Sequence, residues 1–202
     1  MKNDDFLEEN YIREEMKVNI IFANIFGIIV LIISIIIFGL PFYFIWLREV
    51  GNIIIVNHDI GLQERLLNIA VFFAIFIPGI AIHELIHGVF FSISAKNKFK
   101  AVKFGILPAK KLFTPYCHCK EKLRVNQYRI AIVMPFLIMG IVPTIISIFL
   151  GNITLLLLGI LFIVVGCGDI LILTKTRMIE KDSWISDHPS EVGFFVYRLI
   201  KQ

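Results

Sequence analysis

The sequence is short of charge. Only 18% of its 202 residues are Asp, Glu, Lys or Arg, where a soluble domain carries about a quarter. Cysteine is scarce as well. Its three cysteines, two of them one residue apart, cannot build a disulfide framework. The chain has no internal repeat and no low-complexity segment, so nothing points to a repeat architecture. A basic leader is missing too. Residues 1–17 are polar and largely acidic, so the first apolar run is expected to stay as a membrane anchor and not be cleaved. The net charge of +4 suits an anionic leaflet and gives no case for nucleic acid.

What fills the chain is apolar. Hydrophobic residues make up 57%, Phe alone occurs 19 times, and the mean hydropathy is +0.82. The apolar residues gather in four runs, 18–47, 66–95, 128–150 and 153–173. A membrane helix needs about 20 such residues, so the runs predict four transmembrane helices. Gly151-Asn152 leaves room only for a tight turn, which makes the third and fourth spans an antiparallel hairpin. Pro78-Gly79 is expected to kink the second span and open space beside it.

The polar segments are short. Residues 1–17 read as a solvated terminus or a short amphipathic helix. Residues 48–65 form a linker whose run Ile53-Ile54-Ile55-Val56 reads as a strand or interfacial patch, followed by a solvated His58 beside Asp59. Residues 96–127 hold nine Lys or Arg and one acidic residue. Alternation in Lys98–Ile106 and Thr114–Lys120, with Pro108 and Pro115 about the turn, predicts a β-hairpin. That hairpin reads either as an edge that accepts a peptide strand or as a basic loop near lipid headgroups. The tail, 174–202, carries Phe194-Phe195-Val196-Tyr197, read as a patch on the membrane surface. The expected fold is thus an all-α membrane protein, four transmembrane helices with a small cytoplasmic β-hairpin insertion. Basic residues near span ends favour the cytoplasm. They place loop 96–127 and both termini inside, facing the cytoplasm.

Within the four runs the strongly titratable or metal-binding residues are His83, Glu84, His87, Cys167 and Asp169. An ionisable group in lipid is expensive and marks a functional site. His83 and His87 are four apart and share one helix face, with Glu84 between them: the HExxH pattern of zinc hydrolases. Composition alone predicts about 0.006 occurrences of that pattern in a chain with five His and ten Glu. A catalytic zinc takes three protein ligands and leaves one position open. Asp169 is the carboxylate remaining in a span. It either completes the set or is a helix-end carboxylate paired with Lys175. Depth favours the first. His83 and His87 lie about 12–18 Å from the inner end of their span, and Asp169 about 9 Å, at 1.5 Å per residue. Gly166 and Gly168 would allow close helix approach there. Glu84 is then the general base that takes a proton from zinc-activated water. Cys117-His118-Cys119 has poor spacing for a structural metal site and reads as ordinary thiols.

His83-Glu84-Leu85-Ile86-His87, the segment Gly166-Cys167-Gly168-Asp169, and the stretch from Phe113 to Glu121 together resemble a bacterial family of small membrane proteins described as zincin peptidases. That family is similar in plan to the site-2 protease class of intramembrane metalloproteases. The resemblance covers about residues 66–173. It implies a Zn2+ cofactor held by His83, His87 and Asp169, Glu84 as base, and a membrane protein or peptide as substrate. It also implies a hairpin within Lys98–Lys120 that presents the substrate. The sequence departs from the site-2 class in having Ile170, not Gly, after Asp169. Two other functions use the same polar cluster: a metal-binding or transport protein, and a non-catalytic membrane adaptor. A transporter has only Glu84 and Asp169 for a relay.

Overall fold

The computed structural model describes residues 11–46, 61–109, 112–188 and 191–200. The expected linker features, Ile53–Val56 with His58 and Asp59, lie outside the described residues. The chain is mostly helical. Helix α1 (Ile20–Ser34) continues through a π-helical turn at Ile35–Gly39, giving the apolar segment Ile21–Trp46. Helix α2 spans Leu62–Ser94 without interruption. Helix α3 (Val125–Pro135), a π-helical turn (Phe136–Ile141) and α4 (Val142–Leu150) form the segment Val125–Leu150. These three segments are long and apolar enough to cross a membrane. In lipid every backbone polar group must pair within the chain, which favours helix in such runs. Pro135 and Pro143 flank the π-helical turn.

The fourth expected span is two helices, α5 (Ile153–Val165) and α6 (Cys167–Thr176), bent by 45° at Gly166. It is long enough to cross only if the bent pair counts as one. The α4–α5 connection is the tight turn expected. Gly151 sits at φ 66°, a conformation side chains disfavour. Asn152 then caps α5 by accepting from the Leu155 N–H at 2.9 Å.

The protein divides into two compact units: Met1–Ala23 with Glu84–Pro135 and Gly168–Gln202, and Asn24–His83 with Phe136–Cys167. The second is a helical bundle closed by small residues. A Cβ at Gly159 would meet the Thr144 backbone, one at Gly140 the Ile163 backbone, and one at Gly166 the Phe136 side chain. Small residues let membrane helices approach this closely. Gly79 is likewise covered by the Phe162 ring, so the space expected beside Pro78 is filled at that point. The Trp46 indole packs on Gly151 and donates to the Ile148 carbonyl at 2.8 Å.

The first unit contains β-structure that an all-α reading misses. Strands β1 (Tyr11–Lys17), β4 (Leu123–Arg124), β5 (Trp184–Asp187) and β6 (Gly193–Leu199) form an antiparallel sheet in the order β1-β6-β5-β4. Residues 11–17 are therefore a strand, neither a helix nor a loose end, and they pair with the tail from Tyr11↔Leu199 to Lys17↔Gly193. The aromatic run in the tail is the central strand, not a surface patch. Phe194 and Val196 point into the core, while Arg13 covers Phe195 and Lys122 covers Tyr197 on the other face. Period-two alternation places these residues on opposite faces, and cation–π contacts shield the outer one.

The expected hairpin is present as β2 (Val102–Ala109) and β3 (Leu112–Cys119), paired Val102↔Cys119 through Ala109↔Leu112. Its bounds shift. Lys98–Ala101 is a 3-10 turn, and Pro108 and Pro115 lie inside the strands. Proline is tolerated because a two-stranded ribbon consists of edge strands.

Candidate metal centre

The site grows from α2. His83 and His87, one turn apart, are only 2% and 4% exposed. Asp169 comes from the first turn of α6. The break at Gly166 starts a new helix there, so this carboxylate stands at a helix N-terminus, where negative charge is favoured. The ligand atoms of His83, His87 and Asp169 lie within 4.8 Å of one another. This is the single group of metal-ligand type among the described residues. The three residues that the sequence singles out as ligands are thus brought together.

Helix α3 anchors the surroundings. His87 Nδ1 lies 2.9 Å from the Ala131 carbonyl. A carbonyl only accepts, so Nδ1 carries the hydrogen in this contact. Nε2 is 3.3 Å from Asp169 Oδ2. Arg129 donates through Nε to Thr176 Oγ1 at 3.2 Å, and through Nη2 to the carbonyls of Thr176 and Ile179. It caps the far end of the helix that carries Asp169. Tyr128, wholly buried, donates to Asp187 Oδ1 at 2.6 Å. Its ring sits between Phe91 and Phe194, and Phe91 in turn neighbours the His87 ring.

Asp187 is a residue that the sequence reading passed over. It lies in a polar tail, where nothing distinguishes it from solvated acids. In the structure its Oδ2 accepts the Cys119 N–H at 2.7 Å and lies 3.9 Å from His118 Nδ1. It therefore ties β3 and α3 to β5. Burial pushes its carboxyl above the ordinary range, opposed by the Tyr128 and Cys119 hydrogen bonds. Cys117 is a half-buried and Cys119 a buried free thiol. Burial pushes Cys117 well up, with Glu84 and Asp187 adding to the effect, and Cys119 is pushed up to about 12. This fits the reading of Cys117-His118-Cys119 as ordinary side chains. It also places the half-buried Glu84 in the electrostatic surroundings of β3.

Residues 76–184, more than half of the chain, match the family described as "Putative zincin peptidase". The chain belongs to that family. No curated protein and no solved structure matches it. Zincin chemistry implies zinc, and the donor set suits that ion. Two imidazoles and one carboxylate are the ligands of several catalytic zinc sites. Ligands at about 2.0–2.2 Å in tetrahedral array stand about 3.3–3.6 Å apart. The 3.3 Å between His87 Nε2 and Asp169 Oδ2 falls in that interval. The Ala131 carbonyl supplies the outer hydrogen bond that metal-binding histidines ordinarily make.

Proposed function

We propose that this zincin-family protein is an intramembrane zinc metallopeptidase. It hydrolyses peptide bonds of membrane-associated proteins or peptides. His83, His87 and Asp169 hold the ion, and Glu84 is the catalytic base. The carrying observation is the convergence of His83, His87 and Asp169 within 4.8 Å, with both imidazoles buried in a helix apolar enough to cross a membrane.

Zinc bound there supplies a Lewis acid that polarises the scissile carbonyl and acidifies water. Glu84 takes the proton from the attacking water and passes it to the leaving amine. The His87 ring is held at Nδ1 by the Ala131 carbonyl, so its ligating nitrogen is oriented before substrate arrives. The bilayer serves as the second partner. The exposed apolar side chains of the segment Ile21–Trp46, of α2 and of α4, such as Phe44, Ile93 and Phe149, face it. We further propose four crossings, with α5 and α6 together as the fourth. The basic loop and both termini then face the cytoplasm of a bacterial plasma membrane, as the Lys and Arg near the span ends favour.

The test uses full-length protein in lipid nanodiscs. Zinc per chain is measured by elemental analysis. Cleavage is measured as new peptide termini, by mass spectrometry, in a membrane extract from a strain lacking the protein. The native chain and Glu84→Gln should each hold one zinc per chain, and only the native chain should generate new termini. A transporter or adaptor gives no reason for that separation. A native protein that takes up no zinc under loading overturns the proposal.

A further inference from the structure

Pro135 ends helix α3, four residues after Ala131. In an α-helix the N–H of residue 135 would bond the carbonyl of residue 131. Proline has no N–H, so that bond is missing. The carbonyl left by it is the one that His87 Nδ1 reaches at 2.9 Å. Ala131 is fully buried. A buried carbonyl without a donor costs free energy, so it favours any donor within reach. His87 is that donor.

We infer that Pro135 is a positioning residue for the metal centre. By withholding an amide hydrogen from Ala131, it reserves that carbonyl for His87 Nδ1–H and so holds the ring with Nε2 facing Asp169. This inference rests on the reading of His87 and Asp169 as zinc ligands. An amide N–H at position 135 would compete for the Ala131 carbonyl and loosen the hold on the ring. A carbonyl has two lone pairs, so the competition weakens the His87 bond without abolishing it. Outer-sphere partners of this kind are typically worth about 10–100-fold in metal affinity. A shared carbonyl places the effect at the lower end.

Three full-length proteins test it: native, Pro135→Ala, and a chain carrying lactic acid at 135, installed by suppression of an amber codon. Lactic acid replaces the amide N–H by an ester oxygen, so it removes both the ring and the donor. Alanine favours helix intrinsically, so lost zinc affinity in Pro135→Ala does not reflect a weakened helix. One measurement is the strength of the His87 Nδ1–H hydrogen bond, read as its 15N and 1H chemical shifts in zinc-loaded protein with 15N-labelled histidine. The other is the zinc dissociation constant by chelator competition. The native and lactate chains should show the same Nδ1–H shifts and equal zinc affinity. Pro135→Ala should show a weakened Nδ1–H bond and bind zinc about 10-fold more weakly. The inference is overturned if Pro135→Ala keeps the native shifts and affinity. It is equally overturned if the lactate chain loses as much as the alanine chain, because ring shape would then be the cause. If native protein binds no zinc, the metal reading fails, and the Nδ1–H shifts compared across the three metal-free chains still decide the role of Pro135.

Discussion

The two units are held together by different physics. In the unit Asn24–His83 with Phe136–Cys167, helices touch where side chains are missing, at Gly79, Gly140, Gly159 and Gly166. Its buried hydroxyls stay within their own helix: Thr144 donates to the Gly140 carbonyl and Ser147 to the Thr144 carbonyl, both at 2.6 Å. In the unit Met1–Ala23 with Glu84–Pro135 and Gly168–Gln202, Ser92 and Thr176 do the same, but other polar side chains also bond between elements. His87 reaches α3, Arg129 reaches α6, and Asp187 joins β3, α3 and β5. Lipid offers no hydrophobic drive between helices, so close packing must hold the first of these. The second has a packed core of Phe91, Tyr128, Ile185, Phe194 and Val196, and can bury directional bonds within it. A site that needs the His87 ring held in one orientation benefits from directional bonds more than from smooth contact.

This contrast predicts separate responses to mutation. The largest should follow Asp187→Ala, which strands the Tyr128 hydroxyl and the Cys119 N–H, at about 1–3 kcal/mol each. Hydrogen exchange in nanodiscs should accelerate in β3, β5 and α3, with α4 and α5 unchanged. Equal acceleration in α4 and α5 would break the comparison. Gly159→Ala comes next. Its new Cβ would meet Thr144 N at 2.9 Å and Thr144 Cα at 3.1 Å, backbone atoms that yield only if α4 and α5 part. Overpacking of this kind costs about 1–3 kcal/mol. Exchange should then rise in α4 and α5 and leave the sheet untouched. Gly27→Ala, where a Cβ meets nothing within 4 Å, is the control, expected within about 0.5 kcal/mol of native.

The same contrast explains what the sequence could tell. The bundle was legible because lipid imposes one rule, long apolar helices, that composition exposes directly. The convergence of His83, His87 and Asp169 was legible because an ionisable group in such a run has little other reason to be there. The break at Gly166 was only half legible: the glycines were visible, and the 45° bend between α5 and α6 was not. The sheet was not legible. Strand β1 reads Tyr-Ile-Arg-Glu-Glu-Met-Lys, too charged to announce a strand, and its partner lies about 190 residues away at Tyr11↔Leu199. Sheet propensity depends on the neighbour across the pair, which no local window contains. Asp187 escaped for a related reason. Its importance comes from Tyr128 and Cys119, which meet it only after folding.

The smallest predicted effect lies at that sheet edge, where β1 adds surface charges to backbone pairing. Glu15 meets Lys17 at 3.1 Å and His188 at 2.7 Å, and Lys17 meets Glu191 at 3.1 Å. The Lys17 hydrogen bond, aided by His188, holds Glu15 below its ordinary value of 4.5. A depressed carboxyl stabilises the fold above its unfolded value and loses that contribution as pH falls through its folded value. Glu191 and Glu15 raise Lys17 above 10.5, so its contribution is complete below that value and fades only as pH rises past it. The edge should therefore be tightest between about pH 5 and 10. Amide protection of Tyr11–Lys17, corrected for intrinsic exchange, should fall as pH drops below about 4.5, while β5–β6 keeps its protection. Glu15→Gln should flatten that profile, and added salt should shrink it, because these charges are exposed and screened. Protection in β1 that ignores both pH and salt would mean that the backbone register to β6 holds the strand alone, with the surface charges contributing nothing.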